Sequence, residues 1–333
     1  MSDQRTVSLT RRELLSATAA AAVLPPGAHA ADFHRLKHGA FDITVVSDGF
    51  ITLPAEILLP DATPEERQVI MPRLGGDAQG APVQANIPLI RYGDDLILID
   101  NGSGTNFQAS AGKLAANLRT LGIEPEAITK VVFTHAHPDH SGATTTSDGK
   151  VLYPNAEYFV SEAEWSFWTD KAFETHMPAA LHDFARGAQR DLFAVKDRLT
   201  LVKPDQEIVR GMRVVDAPGH TPGHVSLELA GDGNLLVTGD ACTHDVIFFE
   251  HPHWHSGFDT NPETALKSRK MLLDRAASEK IKMLGYHWSY LGTGSQSARA
   301  TPIASLKREA GFHHDCCVRT SAEGDRTRPV AQN

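Results

Sequence analysis

A mixed α/β fold is what this sequence predicts, and three observations carry that expectation. Short apolar runs of strand length alternate with longer stretches of helical spacing. Some of those runs are continuously apolar, as strands buried on both faces are. The residues best suited to metal chemistry fall at or just after the ends of the runs, where open α/β architectures place their sites.

The elements follow in chain order. Phe41-Asp42-Ile43-Thr44-Val45-Val46 alternates at period two and reads as a half-buried strand. Ile87 to Tyr92 and Leu96 to Ile99 flank Gly93-Asp94-Asp95, a hairpin signal. Lys113 to Leu121 has helical spacing through Leu114, Leu118 and Leu121. Lys130-Val131-Val132-Phe133-Thr134 predicts a buried strand. Met212 to Asp216 and Val225 to Leu229 predict strands on either side of a Gly/Pro-rich turn, and Leu235-Leu236-Val237 another. Pro262 to Ala277 predicts a helix with Thr260 or Asn261 as its N-cap. Ile281 to Leu284 predicts a short strand running into Tyr286-His287.

Composition narrows the function classes. The chain has 333 residues, a hydrophobic fraction of 41% and a formal net charge of -9. That is ample for one catalytic domain, and no basic run tracks a phosphate backbone, which argues against nucleic acid as a partner. Residues 1–30 read as an export signal. Arg11-Arg12 lies in a twin-arginine pattern, an apolar stretch from Leu14 to Leu24 follows, and Ala28-His29-Ala30 offers small residues for cleavage. The stretch is too short for a stable membrane span. This predicts a periplasmic protein with a catalytic domain over 31–315 and a polar, disordered tail over 316–333. The three cysteines, Cys242, Cys316 and Cys317, form neither a disulfide framework nor a CxxC zinc ribbon.

His135-Ala136-His137-Pro138-Asp139-His140 sets four ligand-type residues in six positions directly after a predicted buried strand. Imidazole and carboxylate are the common ligands of zinc-like ions. His135 and His137 can turn toward one ion, Asp139 and His140 toward a second beside it. His220 follows the sharp Pro218-Gly219 turn. Asp240 ends a strand, where its two oxygens can bridge two cations, and His287 ends the last strand. Taken singly, each of these three has a bland reading as an ordinary core or surface polar group.

Together these motifs resemble the metallo-β-lactamase superfamily from about Phe41 to about Gly294: Leu98-Ile99-Asp100-Asn101-Gly102, the His135 to His140 run, Ala217 to His224, Thr238-Gly239-Asp240 and Tyr286-His287. The resemblance implies a four-layer αββα sandwich with two divalent metal ions, zinc foremost, at one edge of the sheets. It implies that His135, His137 and His220 hold one ion, that Asp139, His140 and His287 hold the other, and that Asp240 bridges both. It makes Asp100 an orienting carboxylate for ligand imidazoles and His224 a supporting residue rather than a ligand. Within the superfamily the chain looks most similar to the methyl parathion hydrolase and lactonase branch, through Val46-Ser47-Asp48-Gly49, Gly239 to Phe249 and the turn Leu291-Gly292-Thr293-Gly294. Acyl-homoserine lactonases usually carry a tyrosine three residues after the bridging aspartate, where this chain has Thr243. Cys242, on a segment read as extended, is expected to point away from the metals.

The resemblance implies hydrolysis of a small ester-like substrate, whether lactone, aryl or alkyl ester, or organophosphotriester. Two ions about 3.5–4 Å apart lower the pKa of a shared water toward neutrality, which makes hydroxide the nucleophile without a serine elbow. Asp139 or Asp240 is the expected proton relay to the leaving group. Trp165, Trp168, Phe248 and Trp288 are candidates for the substrate pocket, with core packing as the alternative reading. A β-lactamase-like amide hydrolase and a mononuclear-iron persulfide dioxygenase are the competing activities on this fold, and a homodimer fits the subfamily.

Overall fold

Strand-length apolar runs with both faces buried need a layer on each side, and that requirement shapes the fold. The computed structural model describes residues 33–289. The export-signal reading of 1–30, the Leu291–Gly294 turn, Cys316, Cys317 and the tail therefore lie outside the described residues.

Two β-sheets run through the described residues. The first holds β1 (His34–His38), β2 (Phe41–Pro54), β3 (Gly80–Tyr92), β4 (Asp95–Ile99), β5 (Lys130–Val132), β6 (Glu157–Ser161) and β7 (Leu199–Val202), side by side in chain order. Its pairs are antiparallel from β1 to β4 and parallel from β4 to β7. The second sheet has the order β12-β11-β10-β9-β8, from β8 (Glu207–Val209), β9 (Met212–Asp216), β10 (Val225–Gly231), β11 (Gly233–Val237) and β12 (Lys282–Leu284). Its pairs are antiparallel except β11 with β12, which are parallel.

The pleat sorts the side chains into layers. On β4, Ile97 and Ile99 join Phe41, Ile43 and Val132 against Val214, Leu227, Leu235 and Val237 of the second sheet. The alternate residues Leu96 and Leu98 face the other way. There they meet helix α1 (Leu114–Thr120), through Leu114 and Leu118, and the buried face of α4 (His182–Ala194). On the far side, Leu236 of β11 packs with Leu272 and Ala276 of α6 (Pro262–Glu279). Helix, sheet, sheet, helix is the four-layer αββα sandwich implied by the resemblance. The remaining helices that matter are α2 (Pro138–Ser141), α3 (Glu162–Trp168) and α5 (Asp245–Glu250).

Several expectations hold with adjusted bounds. The hairpin is tighter than read: Tyr92 pairs with Asp95, so the loop is Gly93-Asp94 alone, with Gly93 at φ 59°. Asn261, not Thr260, caps α6 by accepting from the Thr264 amide. The Cys242 expectation fails in its premise. Residues Gly239–Cys242 form a 3-10 turn rather than an extended segment, and Cys242 is buried in a hydrophobic cluster with Phe248 and Trp288.

A single carboxylate organises the long loop after β4. Asp48 is fully buried on β2 and accepts from the amides of Ser103 (2.9 Å), Gly112 (3.0 Å) and Leu114 (2.8 Å). Removing it strands two buried donors, on Ser103 and Leu114, and the half-buried one on Gly112, with each buried donor costing about 1–3 kcal/mol. Asp48→Ala is therefore expected to lower the unfolding free energy by about 3 kcal/mol or more, read as a shifted urea midpoint at unchanged slope. An unshifted midpoint contradicts that role.

Candidate metal centre

The loops that leave β4, β5, β9, β11 and β12 all emerge at one edge of the sandwich, and each delivers a chemical group to the same place. After β5 the chain reaches His135 and His137, and Pro138 at the first position of α2 starts the turn that carries Asp139 and His140. The β9–β10 loop carries His220. Gly219 there has φ 126°, and a Cβ would lie 2.0 Å from the Ala265 amide nitrogen, so only glycine lets this loop seat on the start of α6. Asp240 follows β11 and His287 follows β12.

The side chains converge in three overlapping groups: His135, His137 and His220; His135, His140 and Asp240; and Asp139, His140 and His287. Within each group the ligand atoms lie within 4.8 Å of one another, and every member is buried. His135 Nε2 and His220 Nε2 each stand 3.0 Å from His137 Nδ1. Asp240 lies between the groups, with Oδ2 3.4 Å from His220 Nε2 and 3.5 Å from His287 Nε2, and Oδ1 3.5 Å from His140 Nε2. His287 Nε2 is 3.2 Å from Asp139 Oδ2.

On His135, His140, His220 and His287 the outer nitrogen fixes which inner atom is offered, while His137 turns Nδ1 inward and its buried Nε2 has no hydrogen-bond partner. His140 Nδ1 meets Asp100 Oδ2 at 2.8 Å, His220 Nδ1 meets Asp259 Oδ1 at 3.0 Å, and His287 Nδ1 meets the Gln84 carbonyl at 2.7 Å. His135 Nδ1 lies 3.1 Å from Thr134 Oγ1, whose hydroxyl donates to Asp100 Oδ2. These contacts hold a ring proton on Nδ1 and aim Nε2 inward, where it can offer a lone pair to a cation. Asp100 adopts φ 62°, the left-handed region that aspartate tolerates, and accepts from the Thr134 amide as well. His224 has both nitrogens engaged. Nδ1 donates to the Ala217 carbonyl and Nε2 accepts from the Asp240 amide at 2.9 Å, so it holds the Asp240 backbone and has nothing left for an ion.

The residues fit divalent metal ions on their own chemistry. Buried polar atoms are nearly always hydrogen-bonded, yet His140 Nε2 and Asp240 Oδ1 have no hydrogen-bond partner. Three imidazole nitrogens facing each other across 3.0 Å cannot all be satisfied by hydrogen bonds among themselves. A cation between them satisfies all of them.

The electrostatics agree. Burial, reinforced by neighbouring imidazoles, drives His135 and His137 well below the usual histidine range. Burial and His220 push His224 down to about 3, which keeps it neutral. Burial opposes charge on Asp139 and Asp240 too, but His140 and His287 outweigh it, holding Asp139 to about 2 and Asp240 well below the carboxylate range. Conversely, burial disfavours charge on His287, yet Asp240 and Asp139 push it up to about 9.

Ile51, Leu53, Phe107, Phe184, Phe258 and Thr243 wall a small cleft whose floor is His137, Asp139, His220, Asp240 and His287. The four aromatic residues expected at the pocket do not line it. Trp168 is buried beside Phe173 with its Nε1 donating to Glu164, and only its edge approaches the His137 ring. Trp165 packs on Phe193 at the outer side of α3. Phe248 lies under the Arg269 guanidinium, 3.7 Å from its centroid, and Trp288 is buried with Nε1 donating to the Cys242 carbonyl. These are helix and strand-end aromatics, and the apolar core claims them first. Sequence reasoning missed Phe107, Phe184 and Phe258, which come from separate loops and a helix, and Asp259, which reaches His220 from a loop 39 residues away with no motif around it.

The metallo-beta-lactamase superfamily model matches residues 80–280, and the chain belongs to that superfamily. It is 30% identical over 165 residues to an N-acyl homoserine lactonase of Bacillus thuringiensis, covering 49% of this chain and 57% of that one. It is 33% identical over 137 residues to the N-acyl homoserine lactonase AttM of Agrobacterium fabrum, covering 37% of this chain and 45% of that one. The chain thus spans about half the length of these curated relatives. Two solved structures superpose well. AidC, a dizinc quorum-quenching lactonase in complex with a product, has a TM-score of 0.71 at 28% identity over 78% of this chain and 92% of its own. The hydrolase AbOPH of the beta lactamase superfamily has a TM-score of 0.72 at 26% identity over 78% and 91%.

Cation uptake here must displace protons. In the metal-free chain at pH 7, His287 is protonated in the fold and largely neutral when unfolded, since its ordinary pKa is about 6.5. Its contribution to stability is complete below about pH 6.5 and is lost as pH rises through about 9. The metal-free protein should therefore melt lower at pH 9 than at pH 7, and zinc binding at pH 7 should release protons. Calorimetry in buffers of different ionisation enthalpy reads that release, and a buffer-independent heat contradicts it.

Proposed function

We propose that this chain is a binuclear-metal hydrolase of a small, largely apolar ester-like substrate, a lactone or aryl ester foremost. The observation that carries the reading is the meeting of two buried ligand groups at Asp240 on the floor of an apolar-walled cleft. His135, His137 and His220 would hold one zinc ion, Asp139, His140 and His287 the other, and Asp240 both. When bound, such ions activate water at neutral pH and polarise a carbonyl or phosphoryl oxygen.

The protein's own groups supply the rest. Asp139 and Asp240 both reach the cleft, so either is placed to relay a proton to a departing oxygen, and their low proton affinity suits a leaving group that needs little protonation. Ile51, Leu53, Phe107, Phe184 and Phe258 exclude water from the apolar part of the substrate and orient its polar end toward the floor. The relatives named as lactonases support a lactone. Thr243 refines that. Its hydroxyl donates to the Asp240 carbonyl at 3.0 Å, so its proton is spent within the fold. No phenol stands at this position to assist a poor leaving group, which favours an aryl ester, whose leaving phenoxide needs little protonation, over a lactone, whose leaving alkoxide needs more. The twin-arginine pattern of the first thirty residues supports a periplasmic site of action.

The test is a hydrolysis panel of p-nitrophenyl acetate, γ- and δ-lactones, methyl paraoxon and a cephalosporin. One ester-like class should turn over, and a chelator should abolish the activity. Asp240→Asn should cost more than the roughly 10–100-fold typical of outer partners of a metal site, with loss of bound metal. Undiminished turnover by that variant, or a cephalosporin hydrolysed as efficiently as the best ester, sinks the proposal.

A further inference from the structure

Glu164, on α3, touches neither the cleft nor any imidazole nitrogen of the metal centre, yet it is fully buried and accepts four hydrogen bonds. Its Oε1 accepts from the Ala136 amide at 2.9 Å and from Trp168 Nε1 at 2.6 Å. Its Oε2 accepts from Thr221 Oγ1 at 2.6 Å and from the Gly223 amide at 3.1 Å. Ala136 lies between His135 and His137, and Thr221 and Gly223 follow His220. The carboxylate thus joins the two loops that deliver the three-histidine group, and its four partners, Ala136, Trp168, Thr221 and Gly223, all lie outside α2 and outside the strand end that carries His287.

The start of α3 reinforces this grip. Ser161, its N-cap, accepts from the Glu164 amide and donates to the Gly223 carbonyl at 2.5 Å. Gly223 lies so close that a Cβ there would stand 1.9 Å from the Glu164 nitrogen. Both polar groups of the Gly223 peptide unit are therefore held by one helix turn.

We infer that Glu164 is a positioning residue that sets the affinity of the His135/His137/His220 site selectively, leaving the Asp139/His140/His287 site unaffected. The inference rests on the two-site reading proposed above. The chemistry of the carboxylate explains why glutamate is required. Both oxygens face obligate N–H donors, with Ala136 and Trp168 on one and Gly223 on the other. An amide in either orientation would set an NH2 against at least one of them. Glu164→Gln therefore keeps the size and loses the clamp.

Zinc alone, titrated into the metal-free full-length chain against a competing chelator dye, tests this in two backgrounds. His287→Ala leaves the three-histidine site as the better one, and there Glu164→Gln should weaken zinc by about 10- to 100-fold. In His220→Ala, which cripples that site, the same substitution should change affinity less than about twofold, well short of the loss expected for a partner of the metal site. Equal losses in both backgrounds, or none in either, overturn the inference. Should Glu164→Gln fail to fold, Thr221→Val removes one of the four donors, and its smaller loss must again fall on the three-histidine site. Two zinc ions on the parent chain with no selective effect refute the role of Glu164 alone. Fewer than two on the parent chain refutes the two-site reading, and no zinc at all refutes both.

Discussion

Two carboxylates buried among imidazoles govern this molecule. Asp139 and Asp240 are more than nine-tenths buried, within 3.6 Å of ring nitrogens from His140, His220 and His287. Taking ionised carboxylates out of water is costly unless positive charge and hydrogen bonds compensate. Protons on His140 and His287 can provide that charge, and so can divalent cations. Only cations also satisfy the inward-facing nitrogens of His135, His137 and His220. The centre is built around positive charge, and the scaffold holds the ligands in a geometry that they would not adopt for their own sake.

The sandwich supplies that geometry by aligning strand ends. Each ligand loop leaves the same edge, and each is tied back by a buried polar group from elsewhere in the chain. Asp100 holds His140, Asp259 holds His220, the Gln84 carbonyl holds His287, and His224 holds the Asp240 backbone. Tyr286 braces α2, donating to the Asp139 carbonyl while its ring stacks 3.8 Å from that of His140. Asp259 is in turn held by Arg269, a fully buried guanidinium that also donates to the Ala241 carbonyl beside Asp240. Networks of this kind trade stability for precision, since each buried member must be satisfied.

The fold class and the ligand-type residues from His135 to His140 are legible because both are written locally, whereas His220, Asp240 and His287 stood out only through the family resemblance. Buried strands read as apolar runs, and His135 to His140 are neighbours in the chain. The walls of the cleft were not legible. Phe107, Phe184 and Phe258 are isolated aromatics in three separate segments, indistinguishable in sequence from core residues. The conspicuous cluster at Trp165 and Trp168 belongs to a helix packed on the sheet. Density of aromatic residues marks burial, and only tertiary placement tells a wall from a core. Asp259 and Glu164 were invisible for the same reason, because nothing in a charge at one position records which distant loop it will hold. Cys242 shows the reverse error: an extended backbone assumed after a strand end gave way to a 3-10 turn.

Anomalous diffraction at the zinc edge, on crystals of the zinc-loaded chain, addresses the central claim most directly. Two peaks are predicted, one among His135, His137 and His220 and one among Asp139, His140 and His287, with Asp240 reaching both. A single peak, or zinc bound away from Asp240, would contradict the account.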